Sequence, residues 1–544
     1  MAKRYRPVDR EQPFLLPPDM RQWLPADHPV WLLIKVVAGH LDTSAFHAAR
    51  RTGGPGAAGY DPDMLVMLLM WAYANGVTSS RRIEQACATD VAFRVICGGS
   101  FPDHVTIARF RAAFPGAVEG LFTGVLALCA KLGMGTLGTI ALDGTKIAAN
   151  ASKAANRTEE ALRKLAAQRV AAHAATDVAE DELFGAGRRG DEVPPEVASP
   201  ATRDERITQA LAELEAERKA AEAGRDAQAR AYLEAAESGQ PPPGPPPAAA
   251  AVAAARVRLD RAAAEQQAKL AAWEARRAAE AAAGIKRKPG GRKPFAPQAH
   301  AGVAKARAAL ERAQARAAEK ERMDAAAKGP GRARNLTDAD SRLMPVRGGG
   351  FLQGYNAQNV VSEDTLIIAT ELTCDTTDTG WFEPMLRAAE DAAALITAHH
   401  PPPPGGEQAP ASEDGIGLFL ADAGYCSEHN LTTPGPDRLI ATGKLRDLEQ
   451  AARDGTGPPA GGPATAAMAT RLATPEGITA YRQRGHIAET PHGHLKHNMR
   501  FRQLSIRGKP KAAAEWRFAC TVHNLVKAIT TGHLTSATLA TLAT

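Results

Sequence analysis

Residues 137–152 read LGTIALDGTKIAANAS and residues 417–431 read GLFLADAGYCSEHNL. In each stretch an apolar run ends at an aspartate, Asp143 in the first and Asp422 in the second, and small residues follow. Apolar runs bounded by turn residues predict buried strands, with the tight Asp143-Gly144 step turning the chain. Strands from distant sequence can lie side by side, which would set the two carboxylates at one sheet edge. Clustered carboxylates repel unless a cation lies between them. Hard divalent ions such as Mg²⁺ take oxygen ligands and share them with phosphate and water. With a third acid, such a pair makes a two-metal site that activates a water or hydroxyl and stabilises a leaving oxygen. Taken singly, either aspartate is also an ordinary turn residue after a strand.

Working outward, residues 1–135 read as an all-helical domain. An apolar helix is predicted from Pro62 to Asn75 and a second over SSRRIEQACA. A third begins at Asp103, an N-cap for HVTIARFRAAF. Two helices before a third that carries Arg109 and Arg111 suggest a helix-turn-helix contacting DNA. Residues 136–157 form the first strand region. Residues 158–335 are rich in Ala, Glu, Arg and Lys and poor in aromatics, which suits long helices packed like a coiled coil. PPPGPPP at 241–247 and KRKPGGRKP at 286–294 break that segment. Its GGRKP piece reads either as a minor-groove hook or as a bare linker. Strand signals return over 336–400, with a hairpin expected about Ser362-Glu363-Asp364 and a helix from Trp381 to Ala398. A Pro/Gly linker follows at 401–416. Residues 417–544 complete a mixed α/β core with a basic block and a C-terminal helix, EWRFACTVHNLVKAI.

Lys and Arg number 66 against 60 Asp and Glu, for a net charge of +6. Distribution matters more than the sum. From Tyr481 to Arg517 there are nine Lys or Arg, two Glu and four His, a density that suits a polyanion. The six cysteines form no CxxC pairs, which argues against a disulfide framework and a thiolate zinc site. The start lacks the apolar stretch of a secretory signal, and the run Met64 to Ala74 is too short to span a bilayer. A cytoplasmic protein without a membrane partner is the expectation.

In order along the chain, DGTKIAANAS, GGFLQGYNAQ, ADAGYCSEHNL and YRQRGHIAETPHGHLK resemble the motifs of DDE transposases. The nearest likeness is to the insertion-sequence eleven-eighty-two group, relatives of the insertion-sequence-four type. RYRPVDREQPFLLPPDMRQWLPADHPVW and PDHVTIARFR resemble that group's N-terminal domain. The resemblance implies a ribonuclease H-like α/β core interrupted by the long helical insertion, with the all-α domain in front. It implies metal-dependent cleavage and strand transfer of an insertion sequence, with two Mg²⁺ ions that Mn²⁺ can replace. It further implies a homodimer that brings element ends and target together as double-stranded DNA. Asp143, Asp422 and Glu489 then correspond to the catalytic, metal-holding acids. Tyr481, Arg484 and Lys496 correspond to the DNA-contacting signature, joined by Thr145 and Lys146 beside the first acid. Four residues separate Arg484 from Glu489, where the wider insertion-sequence-four pattern has three.

Proline suits a first helical turn, so Thr490-Pro491 predicts a helix beginning after Glu489, which leaves that acid on a turn. His486, His492, His494 and His497 open a rival reading as a transition-metal cluster. Trp516 and Asn524 read as packing residues. The alternatives to a transposase are a catalytically inactive DNA-binding protein derived from one, and a nuclease with no joining step.

Overall fold

The computed structural model describes residues 19–48, 59–168, 203–238, 248–284, 292–326, 333–346, 349–401, 415–443, 450 and 462–542. The chain start, PPPGPPP and most of the 401–416 linker lie outside these residues. Two compact units emerge, one of residues 1–155 and 337–544, the other Asn156–Leu336.

The first unit is built on a six-stranded sheet. Its order is β4 (Arg342–Pro345), β5 (Phe351–Val361), β1 (Thr139–Ala148), β7 (Leu418–Ala421) and β8 (Arg438–Ile440), with β6 (Ile367–Thr373) also on β5. β5 lies antiparallel to β1, β4 and β6, whereas β7 is parallel to β1 and β8 parallel to β7. The hairpin about Ser362–Asp364 joins β5 and β6; Ser362 Oγ donates to Asp364 Oδ1 at 2.6 Å. β1 does not end at Asp143, as its sequence suggested. It runs five residues further because β5 is long enough to pair with it from Ala141 through Ala148.

Among the described residues, seven α-helices precede β1: α1 (Pro29–His40), α2 (Ser44–His47), α3 (Pro62–Ala74), α4 (Ser80–Thr89), α5 (Val91–Ile96), α6 (His104–Ala113) and α7 (Ala117–Lys131). Sequence reading missed α5, whose N-cap Asp90 accepts from Ala92 N and Phe93 N. Asp103 caps α6 through Val105 N and Thr106 N. These helices share one apolar core with the sheet. No single helix among the described residues is long and apolar enough to cross a membrane; α6 and α7 pass that test only as a pair bent by 81°.

The helix Lys509–Thr530 packs on β6 and α7. Its Asn524 ties β6 in place, accepting from Ile367 N at 3.0 Å and donating to Ile367 O at 2.7 Å. The neighbouring His523 is buried, donates Nε2–H to Thr365 O and faces His494 Nδ1 at 2.9 Å. Burial and the nearby His494 push it down to about 3. The unfolded chain therefore takes up a proton near pH 6.5 that the fold refuses, so stability is full above 6.5 and lost as pH falls toward 3. Going from pH 7.5 to 5, wild type is expected to lose about 2 kcal/mol that His523→Gln does not lose, at 1.36 kcal/mol per unit. Chemical denaturation at the two pH values checks this, and equal losses would refute it.

The second unit holds helices Arg203–Ser238, Ala248–Ala282 and Ala301–Ala326, the middle one packed on both others. Tyr232, Ala236, Ala250 and Ala254 form one small core and Leu162, Ile207, Ala210 and Leu214 another. Strands β2 (Asn156–Thr158) and β3 (Ala333–Asn335) pair at the two ends of this unit. Of the GGRKP piece, Arg292 and Lys293 fold back on their own unit. Arg292 lies over the Phe295 ring, and Lys293 lies over Trp273 and 3.4 Å from Glu274. That disposition speaks against a free hook.

Candidate active site

Because β1 and β7 are parallel with Leu142 opposite Ala421, the next residue of each chain is an aspartate. Asp143 continues the strand opposite Asn359. Asp422 directly follows β7 and caps the turn Ala423–Tyr425, accepting from Gly424 N at 2.9 Å.

The helix Pro475–Gly493 packs across β1, β5 and β7. Its opening Thr-Pro pair is Thr474-Pro475: Thr474 caps the helix by accepting from Gly477 N at 3.0 Å. Thr490-Pro491 instead lies within the helix, so Glu489 is helical and not on a turn. Pro491 has no N–H to give four residues back, and the helix passes into a π turn, His494–Asn498.

Tyr481, Arg484, Ala488 and His492 recur at helical spacing on the sheet-facing side. Arg484 Nη1 is 3.4 Å from Asp143 Oδ1 and is buried without a hydrogen-bond partner. Its guanidinium lies over the Tyr481 ring at 5.9 Å. Burial opposes the Arg484 charge, but Tyr481, Asp143, Asp422 and Glu489 outweigh it and raise its affinity for a proton. Tyr481 is only 6% exposed, so its ring supports Arg484 and does not lie open to stack on a base.

His492 has an orientation the sequence did not reveal. The indole of Trp516 can only donate, and it reaches Asn359 Oδ1 at 3.3 Å and Thr370 Oγ1 at 2.9 Å; Thr370 in turn donates to Asn359 Oδ1 at 2.6 Å. Asn359 Nδ2 must therefore face His492 Nε2, at 3.1 Å. That leaves Nδ1–H of His492 directed at Asp143 Oδ2, 3.5 Å away. Trp516 is thus more than packing, because it fixes the acceptor end of this chain. Burial alone would raise the Asp143 carboxyl, yet His492 and then Arg484 hold it below its ordinary value. Asp422 moves the other way, raised by burial and then by the charge of Asp143.

Lys496 Nζ donates to Thr145 Oγ1 and, at 2.9 Å, to Lys146 O. Burial lowers its affinity for a proton while Asp143 works against that shift. Lys146 reaches Asp378 Oδ1 at 3.5 Å. Sequence reading missed Asp378, whose Oδ1 also accepts from Asn356 Nδ2 at 2.6 Å and Gln358 Nε2 at 2.8 Å. Gln358 Oε1 in turn accepts from Tyr425 in the Asp422 turn, and Thr379 Oγ1 donates to Gly424 O at 2.7 Å. Asp378 and Thr379 thereby brace that turn against the sheet. The two glycines leave room for this: a Cβ on Gly144 would meet Asp378 Oδ1 at 2.7 Å, and one on Gly424 would meet Asp422 Oδ1 at 3.0 Å.

Other expected residues lie elsewhere. Glu489 is exposed, and the oxygens of Asp143, Asp422 and Glu489 do not all fall within 4.8 Å of one another. Among the described residues only His47, Asp61 and Asp63 form such a group, and Asp61 is occupied capping α3. The histidines do not gather into a metal cluster: His494 meets His523, His497 meets Arg502, and His492 meets Asp143 and Asn359. Arg109 is exposed on α6. Arg111, expected to touch DNA, is turned inward, bonded to Thr78 O at 2.6 Å, Ser80 Oγ at 2.8 Å and Tyr73 Oη at 3.3 Å.

Comparison with known families adds two matches. Residues 18–113 match a Transposase domain (DUF772), and residues 459–529, which carry the helix Pro475–Gly493 and Lys496, match a Transposase DDE domain. No curated protein and no solved structure matches the chain. A DDE domain implies a ribonuclease H-like α/β core and the use of divalent metal ions. With both domains present, the chain functions as a DDE-type transposase, a polynucleotidyl transferase and endonuclease.

Proposed function

We propose that Asp143, Asp422 and Glu489 hold two Mg²⁺ ions, replaceable by Mn²⁺, and that the enzyme mobilises an insertion sequence of the eleven-eighty-two group. In this reading residues 158–335 are an insertion into the catalytic core, and the enzyme works in the cytoplasm as a homodimer on element ends and target DNA. The observation that carries it is the buried, like-charged pair Asp143 and Asp422, with the Arg484 guanidinium 3.4 Å from Asp143 and its Nη1 lacking a hydrogen bond. An all-oxygen donor set of this kind suits a hard cation. Ligands to a two-ion centre need not converge on one point, so the wide placement of Glu489 is compatible with it.

When bound, the ions supply an activated water or 3′-hydroxyl and stabilise the leaving oxygen. The rest follows from this chain's own groups. Two of the three Lys496 ammonium protons are engaged by Thr145 and Lys146, leaving one for a phosphate oxygen. A phosphate would also offset the burial that disfavours the Lys496 charge. Arg484 offers its unpaired Nη1–H to a second oxygen. His492 keeps Asp143 aimed while water and then a freed 3′-hydroxyl attack in line.

Incubation of supercoiled plasmid bearing the element ends with Mg²⁺ tests this reading. Nicked, linear and strand-transfer products are expected; binding without cleavage would favour the catalytically silent alternative, and cleavage without joining a nuclease. A test free of turnover uses Asp422→Asn, which keeps the acceptor for Gly424 N. With EDTA its unfolding midpoint is expected to equal or exceed that of wild type by up to about 4 °C, since a repelling buried charge is gone. Mg²⁺ should then raise the wild-type midpoint and not the variant's. An equal Mg²⁺ shift in both would remove Asp422 from the metal site.

A further inference from the structure

One face of the first unit carries a cationic groove separate from the acids. It is open, about 940 Å³ in volume, and runs between α4 and α6 on one side and residues 500–505 on the other. Arg81, Arg109, Arg500 and Arg502 line it, with His104 and Asn150, and no carboxylate does. All four arginines are exposed. Among the described residues Arg81, Arg109 and Arg500 enter no ion pair. Arg502 spends Nε on Lys496 O and one terminal nitrogen on His497. Small residues, Ala108 and Ala112, leave the floor shallow, and Arg111 beneath them is engaged inside the fold.

The backbone supports this display at a cost. Arg500 has φ of 51°, a conformation L residues rarely adopt. Its neighbours are pinned by Met499 N to His494 O at 3.0 Å and Phe501 N to Leu495 O at 2.9 Å. Its stem crosses Gly76, where a Cβ would meet Arg500 Cδ at 3.2 Å. A strained residue presenting an unpaired cation is an observation from which a binding role can be argued.

From these residues we infer that the groove is a second DNA site, one that grips the phosphate backbone of a duplex and fixes its distance from the catalytic acids. Four unpaired or half-paired arginines in an acid-free channel match a regular array of phosphates, and the substrate of a transposase supplies one. The groove is joined rigidly to the sheet. Ala148 N donates to Arg502 O at 3.4 Å, and Leu504 N to Ala148 O at 2.8 Å, so its wall pairs directly with the last residue of β1. Five residues of that strand separate Asp143 from Ala148, about 17 Å at 3.3–3.4 Å per residue. That is about five base pairs, so duplex held here would lie half a helical turn from the acids. The spacing rests on Asp143 being catalytic; the binding does not.

The test is fluorescence anisotropy with a 40-base-pair mixed-sequence duplex in EDTA over a NaCl series. Each phosphate contact adds about 0.9 to the log–log salt slope. The Arg81→Gln, Arg109→Gln, Arg500→Gln triple variant is expected to lose about 2.7 of that slope and to bind at least tenfold more weakly near 150 mM salt. Because Arg500 carries strain, the Arg81→Gln, Arg109→Gln pair is run beside it and should lose about 1.8. Arg387→Gln, a surface control paired with Glu383, should keep the wild-type slope. A wild-type slope in both groove variants, or an equal loss in the control, overturns the proposal. Asp143→Asn separates it from the catalytic reading: that variant should retain the slope. If it cleaves like wild type, the acid assignment fails while the groove result stands. If it is inactive and the groove variants keep their slope, the groove alone fails.

Discussion

Asp143→Ala is expected to reduce Mg²⁺-dependent plasmid cleavage by on the order of 10³-fold or more. A metal site contributes several kcal/mol to a transition state that gains charge, and each 1.36 kcal/mol is a factor of ten. Asp143 is the acid on which the most depends locally. His492 points at it, Arg484 lies 3.4 Å from it, and its charge acts on Asp422, Tyr481 and Lys496. Truncating it also empties a buried volume and takes away the acceptor that His492 Nδ1–H faces, so the alanine variant should also unfold at lower temperature. Asp143→Asn separates the two effects, because it keeps the volume and loses the charge. Both variants should be inactive while only the alanine loses substantial stability. Metal-dependent cleavage at wild-type rate in either one would remove Asp143 from the chemistry.

Arg111→Ala is expected to cost about 3 kcal/mol of stability and to lower the unfolding midpoint by on the order of 5–10 °C. The carboxylate of Glu515 is fully buried, and Arg111 Nη1, 3.9 Å away, is its cationic neighbour. Breaking a buried pair by removing one partner costs about 3–5 kcal/mol. Glu515 keeps neutral donors in Tyr73 at 2.7 Å, Ser505 N at 2.8 Å and Ile506 N at 3.1 Å, which argues for the lower end. Arg109→Ala, two residues earlier and exposed, should shift stability by less than about 0.5 kcal/mol and weaken DNA binding instead. Equal midpoints for the two variants would contradict this division.

Those two arginines show why sequence reading reached only so far. On α6 they are equivalent in composition and differ by about 200° around the axis, and only the packed neighbours Tyr73 and Glu515 decide which turns inward. The apolar runs before Asp143 and Asp422 identified two strands, since a buried strand must be apolar whatever its partners. Where β1 ends was not legible, because its length is set by β5, far along the chain. The short elements α5 and β8 carry too few residues for a periodic signal. Glu489 was misplaced because two Thr-Pro pairs, Thr474-Pro475 and Thr490-Pro491, offer a helix start there, and capping geometry chose Thr474 while the second pair lies inside the helix. Asp378 gave no signal at all: its role arises because Gly144 and Gly424 have no side chains and two amides of β5 converge on it.

The pairing of β2 with β3 has a consequence for how this gene can change. Asn156 lies opposite Asn335, so the chain departs and returns across a single strand spacing of about 5 Å. Loop-closure entropy grows only with the logarithm of length, and a loop whose ends already meet adds little more when it lengthens. The helical segment can therefore be extended, shortened or exchanged for a tight turn without asking the strands bearing Asp143 and Asp422 to re-register. Its length is close to thermodynamically neutral for the acids, and such a segment is free to drift or to be recruited for other work.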